Sequence, residues 1–248
     1  MPVLSVITAV HAGRAEFLPA TGESLVSQQL PSGWEVEWLL QEDGPDPHLG
    51  DLAAGLPHAR YQANGEQRGI ADTRNLALSR ARGDLVRVLD SDDLLLPGAL
   101  VASIERFAEH PELHWIAARP RYLMRGDVWA TYYLLLPKGI VQPGVVGDYL
   151  RMHRRCPIHC AGLTMRTATV RALGGWAANP RTEDIELLAA MSELVPGYAE
   201  PEESWIYRMH DGQTVHDPAW GSNLVGTSYL MVHNRIGAIR ALRMGERS

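Results

Sequence analysis

Lysine is almost missing from this chain: Lys138 is the only one in 248 residues, so arginine carries nearly all the positive charge. The bias reads as a coding-composition effect, not a functional one. A basic excess is missing too. The chain has 23 basic and 29 acidic residues, a net charge of −6. That excludes a global field for nucleic acid and leaves room only for a local arginine patch. Cysteine is scarce, with Cys156 and Cys160 alone. Two thiols make no disulfide framework, so a reducing cytoplasm is the expected location. Cys156-Pro157-Ile158-His159-Cys160, with His153 nearby, suggests a metal clip, but structural zinc sites use four ligands in paired clusters, and no second cluster follows. Long apolar runs are absent as well. None approaches the ~20 residues that span a bilayer, and Tyr132 to Leu136 stops at Pro137. Met1 to Ile7 has no basic segment and reads straight into a strand, so no signal peptide is expected.

What is present is an α/β pattern. Val3 to Ala9 and Leu85 to Leu89 are continuous apolar runs of strand length, as in strands buried on both faces. Trp34 to Leu40 and Leu113 to Ala118 read as further strands, with a short one at His58 to Gln62. Helical spacing covers Arg14 to Gln29 and Gly69 to Ala81. A third helix opens at Pro97, a favoured early position, and runs to about Glu109. Repeated β-α-β order predicts a mostly parallel central sheet, Rossmann-like, flanked by helices. Arg121 to Gln142 reads as a hairpin or long loop. Ala161 to Met165 and Trp205 to Met209 read as strands and Thr167 to Leu173 as a short helix. Thr182 is placed to cap a helix over Glu183 to Leu194, and Asn223 to Arg243 reads as a C-terminal helix. The apolar stripe of that last helix (Leu224, Tyr229, Met231, Ile236, Ile239, Leu242) suits packing on the core or a homodimer contact.

In such a sheet, ligands sit beyond the carboxyl ends of the strands. Two acidic turns fall there, one at Asp43 and one at Asp90-Ser91-Asp92-Asp93. Three carboxylates within four residues repel, and one takes up a proton unless a cation intervenes. Mg²⁺ or Mn²⁺ resolves the conflict with one or two carboxylates plus substrate phosphates. The plainer alternative is that Asp92 or Asp93 only caps the helix at Pro97.

Several segments in order resemble one family. Ser5-Val6-Ile7, Glu16-Phe17-Leu18 and Ser24 to Gln28 match its opening, and Glu42-Asp43-Gly44 matches the end of its second strand. Gly69 to Ala77, Gly83-Asp84 to Asp93, Leu173-Gly174-Gly175-Trp176 and Thr182 to Leu187 match later elements. Over residues 3 to 215 the chain resembles a family 2 glycosyltransferase of GT-A fold. The resemblance implies a glycosyltransferase domain over 1–215, with a nucleotide-sugar-binding part to about 120 and an acceptor-binding part beyond it. Residues 216–248 follow as a helical extension.

By position, the resemblance gives Asp43 to the base of the nucleotide, uracil favoured, and Arg74 to the base or phosphates. Asp90 and Ser91 go to the donor, and Asp92 becomes the principal ligand of Mn²⁺ or Mg²⁺. His210 would be a further metal ligand, with His216 as its competitor. Asp184 resembles the base that deprotonates the acceptor in an inverting transfer, with Glu183 assisting. Gly175, Trp176 and Trp129, with Tyr132 and Tyr133, would form a sugar or acceptor pocket. The chain departs from the family at Thr8-Ala9-Val10-His11-Ala12-Gly13, one residue longer than usual. Contacts there would come from the Ala9 backbone and the His11 ring. The implied partners are a nucleotide-diphosphate sugar and a soluble acceptor hydroxyl or amine. A nucleotidyltransferase making nucleotide sugars, a non-catalytic nucleotide-sugar-binding domain and a retaining mechanism stay open at this point.

Overall fold

A computed structural model describes residues 1–179, 181–213 and 222–245. His216, the side chain of Leu224 and the boundary expected near residue 215 lie outside them. The strands are β1 (Val3–His11), β2 (Glu35–Asp43), β3 (Ala59–Ala63), β4 (Leu85–Val88), β5 (Leu94–Leu95), β6 (Trp115–Met124), β7 (Val128–Thr131), β8 (Gly139–Val141), β9 (Leu163–Arg166) and β10 (Gly197–Arg208). The helices are α1 (Leu18–Val26), α2 (Gly50–Ala54), α3 (Ile70–Arg80), α4 (Ala99–Glu109), α5 (Val145–His153), α6 (Thr167–Ala172), α7 (Glu183–Leu194) and α8 (Ser222–Gly245).

The sheet runs β3-β2-β1-β4-β9-β6-β10-β5, with β7 added to β6 and β8 to β10. Strands β3, β2, β1 and β4 pair in parallel, as do β6 and β10. β9 is antiparallel to both β4 and β6, so those two blocks point the same way. The carboxyl ends of β1, β2, β4, β6 and β10 therefore gather along one edge. Leu4, Val6, Ile7, Leu39, Leu40 and Val86 are buried, as the continuous apolar runs require of a sheet covered on both faces. Gly83 leads into β4 so close to β1 that a Cβ would stand 2.7 Å from the Ser5 nitrogen, so no larger residue fits there. Within β4, Arg87 is fully buried, donating to the hydroxyls of Thr164 (3.1 Å) and Ser204 (3.2 Å). Burial pushes its pKa down to about 10.

Several local expectations change. The helix expected over Arg14 to Gln29 is a 3₁₀ turn at Ala12–Phe17 followed by α1. Pro97 does not open α4: the helix starts at Ala99 behind Gly98, whose φ of 83° suits glycine. Thr182 precedes α7, but its left-handed backbone (φ 62°) turns the hydroxyl to Asn179 Nδ2 (3.3 Å), not to the helix. Arg121 to Gln142 resolves into a β6–β7 hairpin and the short β8.

The C-terminal helix docks on its own chain. Ser228, Val232 and Ile236 are buried, and α8 meets α7 and α5. Of the apolar stripe, Ile236 faces inward and Tyr229 packs against the core, whereas Met231 and Leu242 stay exposed. Arg235 pairs with Glu186 (3.1 Å), and Arg240 pairs with Glu193 (2.7 Å) and Asp148 (2.8 Å). Glu186 and Glu193 are both buried, so the arginines of α8 supply the cations that the acids of α7 need there. Among the described residues, no helix is long and apolar enough to cross a membrane. Ile236→Ala is expected to lower the unfolding free energy by about 3 kcal/mol, the usual cost of truncating a fully buried aliphatic side chain. Urea unfolding followed by far-UV circular dichroism measures it. A change under about 0.5 kcal/mol, the range of surface substitutions, would show that α8 does not share the core.

Candidate active site

β1 ends at His11, and β2, paired with it in register, ends at Asp43 opposite. The His11 ring is spent on its own turn: Nδ1 accepts from Gly13 N at 3.2 Å. Ala9 lies partly exposed one turn of the pleat earlier. Asp43 is already engaged. Its Oδ1 accepts from Arg68 N (2.7 Å) and Asn64 Nδ2 (2.9 Å), and Oδ2 accepts from Gly69 N (2.9 Å). It holds the segment that enters α3, whose first turn has no side-chain cap of its own. Any contact to a nucleotide base adds to that structural role.

After β4 the chain turns sharply at Asp90-Ser91-Asp92-Asp93, closed by a bond from Asp93 N to Asp90 O (3.1 Å). The Thr21 hydroxyl of α1 donates beneath it to the carbonyl of Ser91 (2.9 Å), and the Ser91 side chain is buried. None of these acids caps α4. The Asp93 carboxyl accepts from Arg208 N (3.1 Å) through Oδ1, while its buried Oδ2 has no partner. Burial, then Asp90 and Asp92, hold its pKa well above the usual carboxylate range. Arg208 also donates to the Asp92 carbonyl.

Asp92 points toward the end of β10. Its Oδ2 lies 2.9 Å from His210 Nε2 and 3.4 Å from Arg14 Nη1. The His210 ring packs tilted against Phe17, with centroids 4.5 Å apart and 34° between the planes, which restricts its orientation. Among the described residues no three His, Cys, Asp or Glu side chains gather as a closed metal cage. The pair Asp92–His210 nevertheless suits Mn²⁺ or Mg²⁺, which leave the other positions to phosphate oxygens and water. A cavity of about 320 Å³ opens beside His210, lined by Met124, Arg125, Val128 and Met209.

The opposite wall comes from α7. Arg74, on α3, donates to Asp90 Oδ1 through Nη2 (2.9 Å) and to Glu183 Oε1 through Nη1 (2.9 Å). Arg74 is only 3% exposed, so it bridges two carboxylates instead of reaching out to a base or phosphates as its sequence position suggested. Asp90 and Glu183 together hold the guanidinium charged against its burial. Burial and the neighbouring Asp184 push the Glu183 pKa up to about 7, against the pull of Arg74. Burial raises Asp184 as well, opposed by Arg74 and by the Ile185 N–H at 2.7 Å. Burial thus raises both acids.

The aromatic pocket expected from the sequence is differently made. Trp176 is 2% exposed and belongs to the core, with Arg74 6.0 Å above its ring. Its backbone N donates to Asn75 Oδ1 (2.9 Å), and its carbonyl accepts from Asn75 Nδ2 (2.7 Å). Gly175 (φ +74°) makes this possible, because a Cβ there would overlap Asn75 Oδ1. Gly175 and Trp176 therefore seat α3 and Arg74; they do not floor a pocket. Trp129 pairs with Leu123 across the hairpin and stacks under Arg121 at 5.7 Å. Alternation puts that face opposite the one carrying Tyr122, Met124 and Val128, so Trp129 looks away from the cavity. Sequence reasoning gave no site role to Arg14, Phe17 and Arg208, and took His159 only for a metal clip with the two cysteines. None of them sits in a local pattern that signals its partner.

Residues 5–165 match the family model described as Glycosyl transferase family 2. The chain belongs to that family. As a family 2 glycosyltransferase chain, it is 32% identical over 117 residues to the O-antigen biosynthesis protein RfbC of Myxococcus xanthus, a match covering 45% of this chain and 9% of that one. It is 33% identical over 104 residues to the uncharacterized protein MT1568 of Mycobacterium tuberculosis, covering 41% of this chain and 32% of that one. The chain thus spans a third or less of these curated relatives. The crystal structure of S. aureus TarS residues 1–349 in complex with UDP-GlcNAc shares the fold at a TM-score of 0.69 and 16% identity, over 88% of this chain and 61% of that one. The fold is of GT-A type, as the sequence resemblance implied. Asp43, Arg74 and Asp90 to Asp93 fall inside the family match, while Glu183, Asp184 and His210 lie beyond it.

Glu183 gives a pH prediction with a definite sign. Its pKa rises from 4.5 unfolded to about 7 folded. Its contribution to stability is therefore complete below the unfolded value and is lost as pH rises through the folded one. Urea unfolding should show stability falling between those two values, and Glu183→Gln should flatten that part of the profile. An unchanged slope in the variant would assign the titration elsewhere.

Proposed function

We propose that this chain transfers a sugar from a nucleoside diphosphate sugar, a UDP-sugar favoured, to an acceptor hydroxyl or amine, with inversion. The Arg74 bridge carries this reading: it joins Asp90, beside the Asp92–His210 pair, to Glu183, beside Asp184. A donor-side acid and an acceptor-side acid are thereby fixed across one site. The TarS complex supports the donor class, since its ligand is UDP-GlcNAc.

In this reading Asp92 and His210 hold Mn²⁺ or Mg²⁺, which when bound neutralises charge on the departing diphosphate. Asp90 and Ser91 face the donor, and Asp43 and the β1 end at Ala9 and His11 flank the base. Asp184 takes the proton of the acceptor as it attacks the anomeric carbon, through an oxocarbenium-like transition state. The raised pKa of the Glu183–Asp184 pair keeps its basicity close to that useful near neutral pH. Nucleotidyl transfer fits less well, because Gly13 N, in the loop after β1 that would have to cradle phosphates, is occupied by His11.

Two substitutions separate the roles. Asp92→Ala is expected to abolish Mn²⁺-dependent UDP binding in calorimetric titration; unchanged binding would remove the metal assignment. Asp184→Asn is expected to bind UDP as the wild type does and to lose about 10²–10⁴-fold in transfer rate, the usual weight of a general base. Near-normal turnover would eliminate it as the base.

A further inference from the structure

The second half of the chain builds an aromatic cluster of which the sequence reading took only Tyr132 for a sugar or acceptor pocket. Tyr122 of β6 and Tyr207 of β10 are partners in register, with ring centroids 5.2 Å apart. Tyr132, just past β7, meets Tyr122 edge-on at 5.7 Å. His159 lies among them, 4.8 Å from Tyr207, 6.1 Å from Tyr132 and 4.8 Å from Trp205. Trp205 is buried and forms the back wall, while the other four rings are partly exposed. Gly162 sets this up: a Cβ there would overlap Trp205 Nε1, so only glycine lets the turn after His159 settle on the indole.

The position of the cluster is informative. Tyr207 immediately precedes Arg208, whose N donates to Asp93 Oδ1 (3.1 Å) and whose side chain donates to the Asp92 carbonyl. His159 leads into the turn Cys160–Gly162, which packs against β6 and against α7, the helix that Glu183 and Asp184 open. The rings therefore lie next to the Asp90 to Asp93 turn, and the segment that holds His159 rests on the helix that carries Glu183 and Asp184. Tyr122 and Met124 alternate along β6, so the rings also share a face with the cavity wall next to His210. Chemically the cluster is neutral. Burial holds Tyr122, Tyr132 and Tyr207 above the usual phenol range and His159 down at about 4. His159 Nδ1 is buried without a partner, a polar atom that lacks a hydrogen bond within the protein.

We propose that Tyr122, Tyr132, His159 and Tyr207 form the acceptor subsite, and that it takes a sugar ring against its C–H face. The inference rests on the glycosyltransferase reading and adds to it the class of acceptor. A pyranose combines a weakly apolar face, which suits neutral aromatic rings, with hydroxyls that can satisfy groups such as His159 Nδ1. A purely apolar acceptor would leave that nitrogen unpaired.

Saturation-transfer NMR with the methyl glycosides of glucose, galactose, rhamnose and N-acetylglucosamine tests this on the full chain with UDP and Mn²⁺ present. At least one glycoside should receive saturation, strongest at the protons of one ring face. Tyr132→Leu keeps apolar volume but removes the ring, and it should weaken that glycoside by about tenfold while UDP affinity stays within about twofold. Trp129→Leu, whose ring faces away from the cavity, should change neither. If Tyr132→Leu fails to bind UDP, Tyr207→Leu takes its place. The proposal falls if the wild type binds UDP but none of the glycosides, if phenol is captured in their stead, or if the ring substitutions leave the sugar signal intact. A wild type that binds no UDP yet loses sugar binding in Tyr132→Leu would overturn the UDP-sugar reading of the donor and leave the sugar subsite standing.

Discussion

One buried guanidinium holds the site together. Arg74 joins Asp90, just past the end of β4, to Glu183, at the start of α7 and 109 positions beyond the arginine in the chain. Each partner depends on the others. A buried arginine without carboxylates carries a large desolvation cost, and two facing carboxylates without the arginine repel. Because α3 carries the arginine, its seating matters as much as the charges. Asn75 clamps it to the Trp176 backbone, and Gly175 leaves the space for that clamp. The glycines and tryptophan that resembled a sugar pocket are therefore one step behind the site, acting on it through Arg74.

The same residue type behaves in opposite ways at the two ends of the sheet. Glu37, at the amino ends of the strands, accepts from Ser5, from the Arg82 backbone and from the Arg60 and Arg82 side chains, and these bonds outweigh its burial and hold its pKa at about 2. Glu183, at the carboxyl ends, has one arginine shared with Asp90 and sits next to Asp184, and its pKa is pushed up to about 7. At one end the acid is satisfied by its hydrogen-bond donors. The other is left poised to exchange a proton, the condition a base requires. Helix α8 extends this pattern, since Arg235 and Arg240 satisfy the remaining buried acids of α7 and leave the unbalanced pair at its first turn.

Much of this was legible in the chain itself, because it is local. Continuous apolar runs marked β1 and β4, turn residues marked their ends, and those ends placed Asp43 and Asp90 to Asp93 on one edge of the sheet. The acids opening α7 were readable for the same reason, as a run of carboxylates at a helix start. What could not be read was set by partners far away in sequence. The parity of the β6–β7 hairpin turned Trp129 away and Tyr122 inward. Packing against Arg74 and Asn75 made Trp176 a core residue. The pairing of β10 with β6 brought Tyr207 to Tyr122, and Gly162 let His159 in beside them. Sequence alone thus determined which residues carry charge and which strand ends they occupy. Tertiary structure decided which of those charges are paired, protonated or exposed, because burial and hydrogen bonding are fixed by neighbours that the local pattern does not encode.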